Sequence, residues 1–384
     1  MIELRQKIEQ EIRERGPIPF SRYMEMCLYD PERGYYSRNA GQFGKAGDFY
    51  TSSDVHAVFG RLMARQFDEM WRVLGSPARV EVRELGPGRG LFAQDVLDWS
   101  EKKFPDFFRA LGYVLVEQSP ALRERIEQRL CHRLDSGKVT VEDAKSPLLA
   151  KPARGGAPDN FPALIFCNEF FDALPVDVVS AGGSLRIDAR EGGGGEVWVP
   201  ASDEELEFMD RYSVHPEAEE RIEVPLAAQR CAESVLRGVE QGFFIAIDYG
   251  YTREEQLAGR HRGTLKAIRQ HSVSANPYEA PGEQDITADV NFTALAAVAE
   301  EQGWRVQKLI TQSQFLMGIG EANQFADAFE DCRLPQERAK VALQLKHLVT
   351  PAGMGESFHV LVASKGIEPE QVARLAGLSF GVAR

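Results

Sequence analysis

No apolar run in this chain of 384 residues approaches the roughly 20 residues that a membrane span needs. The opening stretch, MIELRQKIEQEIRERGPIPF, lacks the short apolar core of a secretory signal. Its several Glu also argue against a mitochondrial presequence, which is poor in acids. Positive charge is in short supply: 45 Lys and Arg against 58 Asp and Glu leave a net charge of −13. A general nucleic-acid binder needs the opposite sign, because its phosphate contacts come from Lys and Arg. An acidic surface suits a small-molecule substrate or a basic protein partner. Cysteine is sparse too. Cys27, Cys131, Cys167, Cys231 and Cys332 lie far apart and form no CxxC pair. Neither a disulfide framework nor a metal site is expected, and a reducing cytoplasmic setting is.

What is present is an ordinary globular composition, 43% hydrophobic and 27% charged, in a chain long enough for a sizeable core. Residues 1–77 read as helix and loop. IELRQKIEQEIRERG has helical spacing and stops at Gly16-Pro17. Ser21 can cap the next short helix, and Asp30-Pro31 starts a turn. Asp54 begins an amphipathic helix that ends at Gly75. From residue 78 strands and helices alternate. RVEVREL, LGYVLVEQS, VTVEDA, FPALIFCNEF and GFFIAIDYG are the strands. Apolar runs separated by helices predict an α/β fold with a parallel sheet covered on both faces. The rhythm breaks at about 180–237, read as an insertion that opens with a glycine-turned hairpin. It breaks again at about 252–292, an irregular region with a helix start at Asp289 or Asn291. WRVQKLITQSQFLMGIG and GESFHVLVASKG supply the last strands, with a helix between them.

The chemistry starts at Gly86-Pro87-Gly88-Arg89-Gly90, between a strand and a helix. In doubly wound sheets this is where nucleotide cofactors sit. A dinucleotide site prefers GxGxxG, but Leu91 stands where its last glycine would be. A Walker loop is excluded, since no Lys-Ser/Thr follows at the required spacing. Glu84, just before the turn, would repel a phosphate and hold an ammonium. S-adenosyl-L-methionine has an amino-acid tail, a sulfonium and no phosphate, so E-x-G-x-G-x-G fits it better than NAD or ATP. Glu117 ends the second strand, where an acid can accept from both ribose hydroxyls. Asp143 ends the third, where a carboxylate can take the adenine amine.

A second polar set, Asn168, Glu169 and Asp172, follows the fourth strand and is interleaved with Phe170 and Phe171. It faces the same carboxyl edge as the glycine turn. Asn168 can hold a nucleophilic nitrogen, and two carboxylates suit the planar fork of a guanidinium. The phenylalanines either shield the reacting centre or belong to the core. His271 is a further candidate for substrate contact or proton relay. Asp248 and Tyr249, at the next strand end, either line an acceptor pocket or cap the strand.

ELGPGRG, VEQSP, NEFFDALPVD, IDYG, GTLKAIRQH, PGEQDITADVNF and TQSQFLMGIG follow one another in order, after YMEMCLYDPERGYYS and GDFYTSSDVHAVFG. Together they resemble the MidA-like family of S-adenosylmethionine-dependent methyltransferases, over nearly the whole chain. This is the family of the mitochondrial complex I assembly-factor arginine methyltransferase. The resemblance implies a Rossmann-like, seven-strand class I methyltransferase sheet with an N-terminal helical region and insertions. It implies that Gly86, Gly88 and Gly90 contact the methionine part of the cofactor and that Glu117 binds the ribose. Asn168 and Glu169 would lie beside the methyl group, and the loop around Thr51 would help close the pocket. The pattern departs at Ser53-Asp54, where relatives tend to have Pro-Glu. The implied reaction is symmetric dimethylation of a protein arginine. The implied partner is a protein presenting that arginine, and a homodimer is left open. Two rival readings stay open at this point: a small-molecule N- or O-methyltransferase on the same fold, and a non-catalytic assembly factor that binds a client.

Overall fold

The computed structural model describes residues 3–37, 57–143, 161–189, 195–269, 272–274, 276–321 and 323–381. The apolar runs assemble into one central sheet. Its main strands are β1 (Val80–Leu85), β2 (Leu111–Glu117), β3 (Val139–Asp143), β4 (Ala163–Asn168), β5 (Gly242–Tyr251), β6 (Arg305–Val306) and β7 (Phe358–Lys365). Neighbours run β6-β7-β5-β4-β1-β2-β3. The pairings from β3 across to β5 are parallel. β7 returns antiparallel to β5, and β6 antiparallel to β7. Val290–Asn291 and Ile310–Thr311 add two short pairings to β5 and β7. Among the described residues the sheet therefore has nine strands, and the expected seven describes its main path. The order reverses between β1 and β4, so their carboxyl ends open a crevice on one edge.

Side chains alternate across each strand, and both faces are covered. Leu164 and Phe166 of β4 point into one core with Phe243, Ile245 and Ile247 of β5. Helices Ala57–Val73, Leu91–Lys103 and Gln312–Glu321 close that face. Ile165 and Cys167 point the other way with Phe244 and Ala246, under helices Leu226–Leu236 and Phe292–Glu301. Asn291 caps the latter helix by accepting from the Ala294 N–H at 2.9 Å, so of the two expected starts Asn291 is the one used.

The insertion builds a second sheet. Asp177–Ser180, Gly183–Asp188, Gly195–Val199 and Arg221–Val224 pair antiparallel, and Ile18–Pro19 joins at its edge. Helices Leu4–Arg15 and Phe20–Tyr29 pack on this sheet and share a core with Ala267, Ile286 and Ala288. Residues 1–77 thus contain two pieces with different neighbours. Residues 4–36 belong with the insertion, while the helix Ala57–Val73 belongs to the central core. Ser21 does not cap its helix. That helix starts at Phe20, and the Ser21 hydroxyl donates to Asp177 Oδ1 at 2.6 Å. Between Ile310–Thr311 and β7 lie three helices rather than one: Gln312–Glu321, Ala326–Phe329 and Pro335–Val349. The start at Asp54 and the glycine turn of the hairpin lie outside the described residues.

Phe166 fixes β4 two residues before Asn168. Its ring is fully buried and stacks on Phe92 at 4.5 Å, with Phe67 edge-on at 5.7 Å. Phe166→Ala should therefore cost about 3–5 kcal/mol, read as a lower urea midpoint with unchanged slope. A loss below about 1 kcal/mol would mean that this core does not hold the strand.

Candidate active site

The glycine turn is built from three glycines with positive φ, and each has its own surroundings. A Cβ placed on Gly86 would stand 2.7 Å from Cδ2 of Phe170, so the Phe170 ring lies directly against the turn. A Cβ on Gly90 would meet Ile126 at 3.3 Å, where helix Pro120–Arg129 packs. A Cβ on Gly88 would meet nothing within 4 Å. Neighbouring protein explains the absence of side chains at Gly86 and Gly90. At Gly88 the φ of +55° alone favours glycine, and beyond its half-buried backbone lies open space that a ligand can enter.

Glu117 ends β2 beside that space. Its Oε1 accepts from the Ser119 N–H at 2.8 Å, and Ser119 in turn caps helix Pro120–Arg129. Burial pushes its carboxyl up to about 7, against the pull of the Ser119 and Gly88 N–H groups. Glu84 is also buried and accepts from the Tyr113 hydroxyl at 2.8 Å. Burial raises it to about 8; Tyr113 opposes that shift and Glu117 adds to it. Two buried carboxylates thus sit within electrostatic reach of each other beside an open glycine turn. A ligand that carries positive charge and accepts backbone N–H contacts fits this donor set, and a phosphate does not.

Asp143 takes a different partner from the one expected. Its half-exposed carboxylate accepts from Arg123 Nη1 at 2.6 Å. The same guanidine nitrogen also donates to the carbonyls of Glu117 and Gln118. The acid therefore helps fasten the ends of β2 and β3 through a surface ion pair, and no adenine contact is assigned to it.

Across the crevice, β4 ends in a turn under strain. Glu169 has φ of +48°, rare for a residue with a side chain, and still donates its N–H to the Ile247 carbonyl at 2.9 Å. This turns Asn168, Glu169 and Phe170 toward the accessible side, where all three are half-buried. Asn168 Nδ2 donates to Glu169 Oε1 at 3.2 Å. Phe171 points into the core, whereas Phe170 covers the glycine turn. Asp248 at the end of β5 holds the turn: its Oδ2 accepts from the N–H groups of Phe170, Phe171 and Asp172 at 3.1, 3.1 and 3.3 Å.

Asp172 is buried, and its Oδ2 accepts from the Tyr249 hydroxyl. Its Oδ1 accepts no hydrogen bond among the described residues. Burial pushes its carboxyl up to about 6, held back by Tyr249 and by the nearby Ala173 N–H. Asp248 is raised further by burial and by Asp172 and Glu169 beside it.

The structure also brings in residues that sequence reasoning gave no role. Tyr29 donates to the Ala173 carbonyl at 2.9 Å, and Tyr36 donates to Asp285 at 2.8 Å. Their hydroxyls resist ionisation, first through burial and then through Asp172 and Asp285. The only signal was a cluster of tyrosines around the Asp30 turn, side chains with an apolar body and a polar tip. Thr51 and His271 lie outside the described residues.

Known proteins resemble this chain over most of its length. Residues 62–310 match the family model of "Putative S-adenosyl-L-methionine-dependent methyltransferase". The chain is 30% identical to the mitochondrial protein arginine methyltransferase NDUFAF7 homolog of Drosophila melanogaster, over 95% of this chain and 85% of that one. It is 27% identical to the Homo sapiens protein arginine methyltransferase NDUFAF7, over 91% and 80%. A Burkholderia thailandensis crystal structure bound to S-adenosyl-homocysteine superposes with a TM-score of 0.76 at 26% identity, covering 97% of this chain and 94% of that one.

Two outcomes are expected. Gly88→Val should weaken S-adenosylhomocysteine binding at least tenfold by calorimetry, because the β-branched side chain enters the open space. Its melting temperature should move less than the affinity does. Equal affinity would show that Gly88 does not border the ligand. The second outcome concerns pH. Glu84 and Glu117 ionise near 4.5 when unfolded but near 8 and 7 when folded. Their stabilising contribution is full below that unfolded value and is lost as pH rises through about 8. The urea midpoint of the ligand-free chain should fall from pH 5 to 8.5, and Glu84→Gln should flatten that slope. An unchanged slope in the variant would rule the shift out.

Proposed function

The chain belongs to a family of S-adenosyl-L-methionine-dependent methyltransferases, and from that premise we propose that it methylates an arginine nitrogen of a protein. The names of its relatives support this reading. One structural observation carries it: Asp172, buried at the crevice, keeps one carboxylate oxygen without a donor while Tyr249 occupies the other. A buried acceptor left open is costly, so a site that retains one is suited to a donor from outside.

When bound, S-adenosylmethionine supplies an electrophilic methyl group on a sulfonium. Gly86, Gly88 and Gly90 would cradle its methionine part, and Glu117 would accept from its ribose. Glu84, raised to about 8 by burial, would ionise more readily once a cationic cofactor is bound, acting through the strand rather than by direct contact. On the other wall Asn168 and Glu169 would orient the guanidinium. Their half-buried position lets them meet a side chain that arrives from solvent. Phe170, lying on the turn, would keep water from the reacting centre. Asp172 would accept the proton that the guanidinium must lose, at Oδ1. Tyr249 holds the other oxygen and so fixes which one faces the acceptor. Most of the acceleration in such a site comes from position: acceptor and donor in line, and solvent excluded.

The test is incubation of cell lysate with methyl-labelled S-adenosylmethionine, followed by acid hydrolysis of the labelled protein. Label in methylated arginine supports the reading, and a symmetric dimethylarginine product supports its finer form. Label confined to small molecules would sink it. Asp172→Asn should lower kcat by about a hundredfold or more while cofactor affinity changes little. In the wild type kcat should rise with pH through about 6, where the Asp172 carboxyl loses its proton. A flat profile from pH 5 to 8 would remove Asp172 from the proton path.

A further inference from the structure

A cavity of about 660 Å³ opens at the carboxyl end of β5, beyond Tyr249 from the glycine turn. The stretches 255–268, 287–289 and 356–359 wall it. Tyr249 belongs to both places. Its ring lines the cavity, and its hydroxyl donates to Asp172 in the crevice. The Tyr249 side chain therefore links the cavity to Asp172, through the oxygen that it bonds.

The same ring carries a cation. Lys266 Nζ stands 5.3 Å from the centroid of the Tyr249 ring and 3.0 Å from Asp289 Oδ1. His261 Nδ1 fixes the other oxygen of Asp289 at 3.0 Å, and its own ring stacks on Tyr251 at 5.3 Å. The seat is largely buried and its occupant is not. The Asp289 side chain is only 11% exposed, whereas that of Lys266 is 45% exposed. A half-exposed lysine makes a weak ion pair and keeps much of its hydration. A guanidinium is a better occupant, since it is more weakly hydrated, stacks flat on an aromatic ring and offers a planar fork to a carboxylate.

We propose that Tyr249 and Asp289 form a guanidinium seat at the mouth of the acceptor path, which Lys266 occupies until an arginine side chain displaces it. The inference rests on the arginine reading and names the site at which that side chain is first held. From there the Tyr249 side chain leads on to Asp172. The cavity is large enough for residues that flank the arginine, so the seat also orients the polypeptide. Glu356 and His359 line the far wall and would face those neighbours. Burial lowers the pKa of His359, and Arg260, which also lines the cavity, pairs with Glu255 at 3.8 Å.

The probe is the peptide Gly-Gly-Arg-Gly-Gly, with a citrulline counterpart. Binding to the full chain saturated with S-adenosylhomocysteine is followed by saturation-transfer NMR. The wild type should bind the arginine peptide and not the citrulline one. Asp289→Asn should weaken binding at least tenfold, and Lys266→Met should strengthen it at least threefold, because the competing cation is gone while its stem remains. Both variants should keep wild-type affinity for S-adenosylhomocysteine, which separates loss of the seat from loss of the fold. No binding to the wild type, equal binding of citrulline, or a Lys266→Met variant that binds no better overturns the proposal. If the peptides behave as expected but no arginine is methylated in lysate, the functional reading fails and the seat stands.

Discussion

The reaction edge depends on one buried carboxylate. Asp248 reaches back from the end of β5 and collects the N–H groups of Phe170, Phe171 and Asp172, while its other oxygen accepts from the Tyr249 N–H. Without it the turn after β4 would leave three buried donors unpaired, each costing about 1–3 kcal/mol. The strained φ of Glu169 persists because this anchor and the bond to Ile247 over-determine the turn. Everything on the acceptor wall follows from it. Asn168 and Glu169 face outward, Phe170 lies on Gly86, and Asp172 meets Tyr249. An aspartate suits this task because its two oxygens serve two elements, one taking the turn after β4 and the other the Tyr249 N–H of its own strand.

The electrostatics of the crevice point in one direction. Glu84, Glu117, Asp172 and Asp248 are all held above the usual carboxylate range, mainly by burial. Arg123 is the cation noted near Glu117, and it is committed to two carbonyls and to Asp143 at the rim. At neutral pH the set is therefore partly protonated, and each carboxyl ionises more readily once a cation stands beside it. Positive charge brought from outside would relieve every member of the set. A sulfonium with its ammonium tail and a guanidinium both bring such charge. The same physics makes a phosphate-bearing cofactor a poor fit, although Glu84 itself is buried and bound by the Tyr113 hydroxyl.

The fold was largely legible in the sequence. Parallel strands buried on both faces read as unbroken apolar runs, and the glycine turn announced itself by spacing. The site was legible only as far as strand ends could be located. Asn168, Glu169 and Asp172 follow a buried run, so their edge was known, but their partners were not. Nothing local says that Asp248, 76 residues beyond Asp172, collects that residue's N–H. Asp143 shows the limit from the other side. Its place at a strand end was correct, yet Arg123, one helical turn past Ser119, takes the carboxylate first. Ser21 failed in the same way, because a hydroxyl at a helix start found a tertiary acceptor in Asp177. Local rules name what a side chain can do, and packing decides which partner arrives.

Both walls of the crevice stand on the central sheet, but only one is also tied to the second core, and this constrains how the protein can vary. The glycine turn and Glu117 stand on the central sheet. The acceptor wall is fastened to the second assembly as well. Tyr29 bonds the Ala173 carbonyl, the Ala288 N–H bonds the Asp172 carbonyl, and Ser21 bonds Asp177. Two stretches far apart in sequence, the helix Phe20–Tyr29 and Ala288, thus converge on residues 172–177. Ile18–Pro19 pairs with Arg186 and Ile187, so the N-terminal helices and the insertion hold one another in place. A change in that second core can shift Asp172 without touching Gly86, Gly88 or Glu117. The insertion is then part of the acceptor wall, supporting it from behind, while cofactor geometry stays with the strands of the central sheet. The fold can in this way retain one cofactor while the surface that meets the acceptor varies.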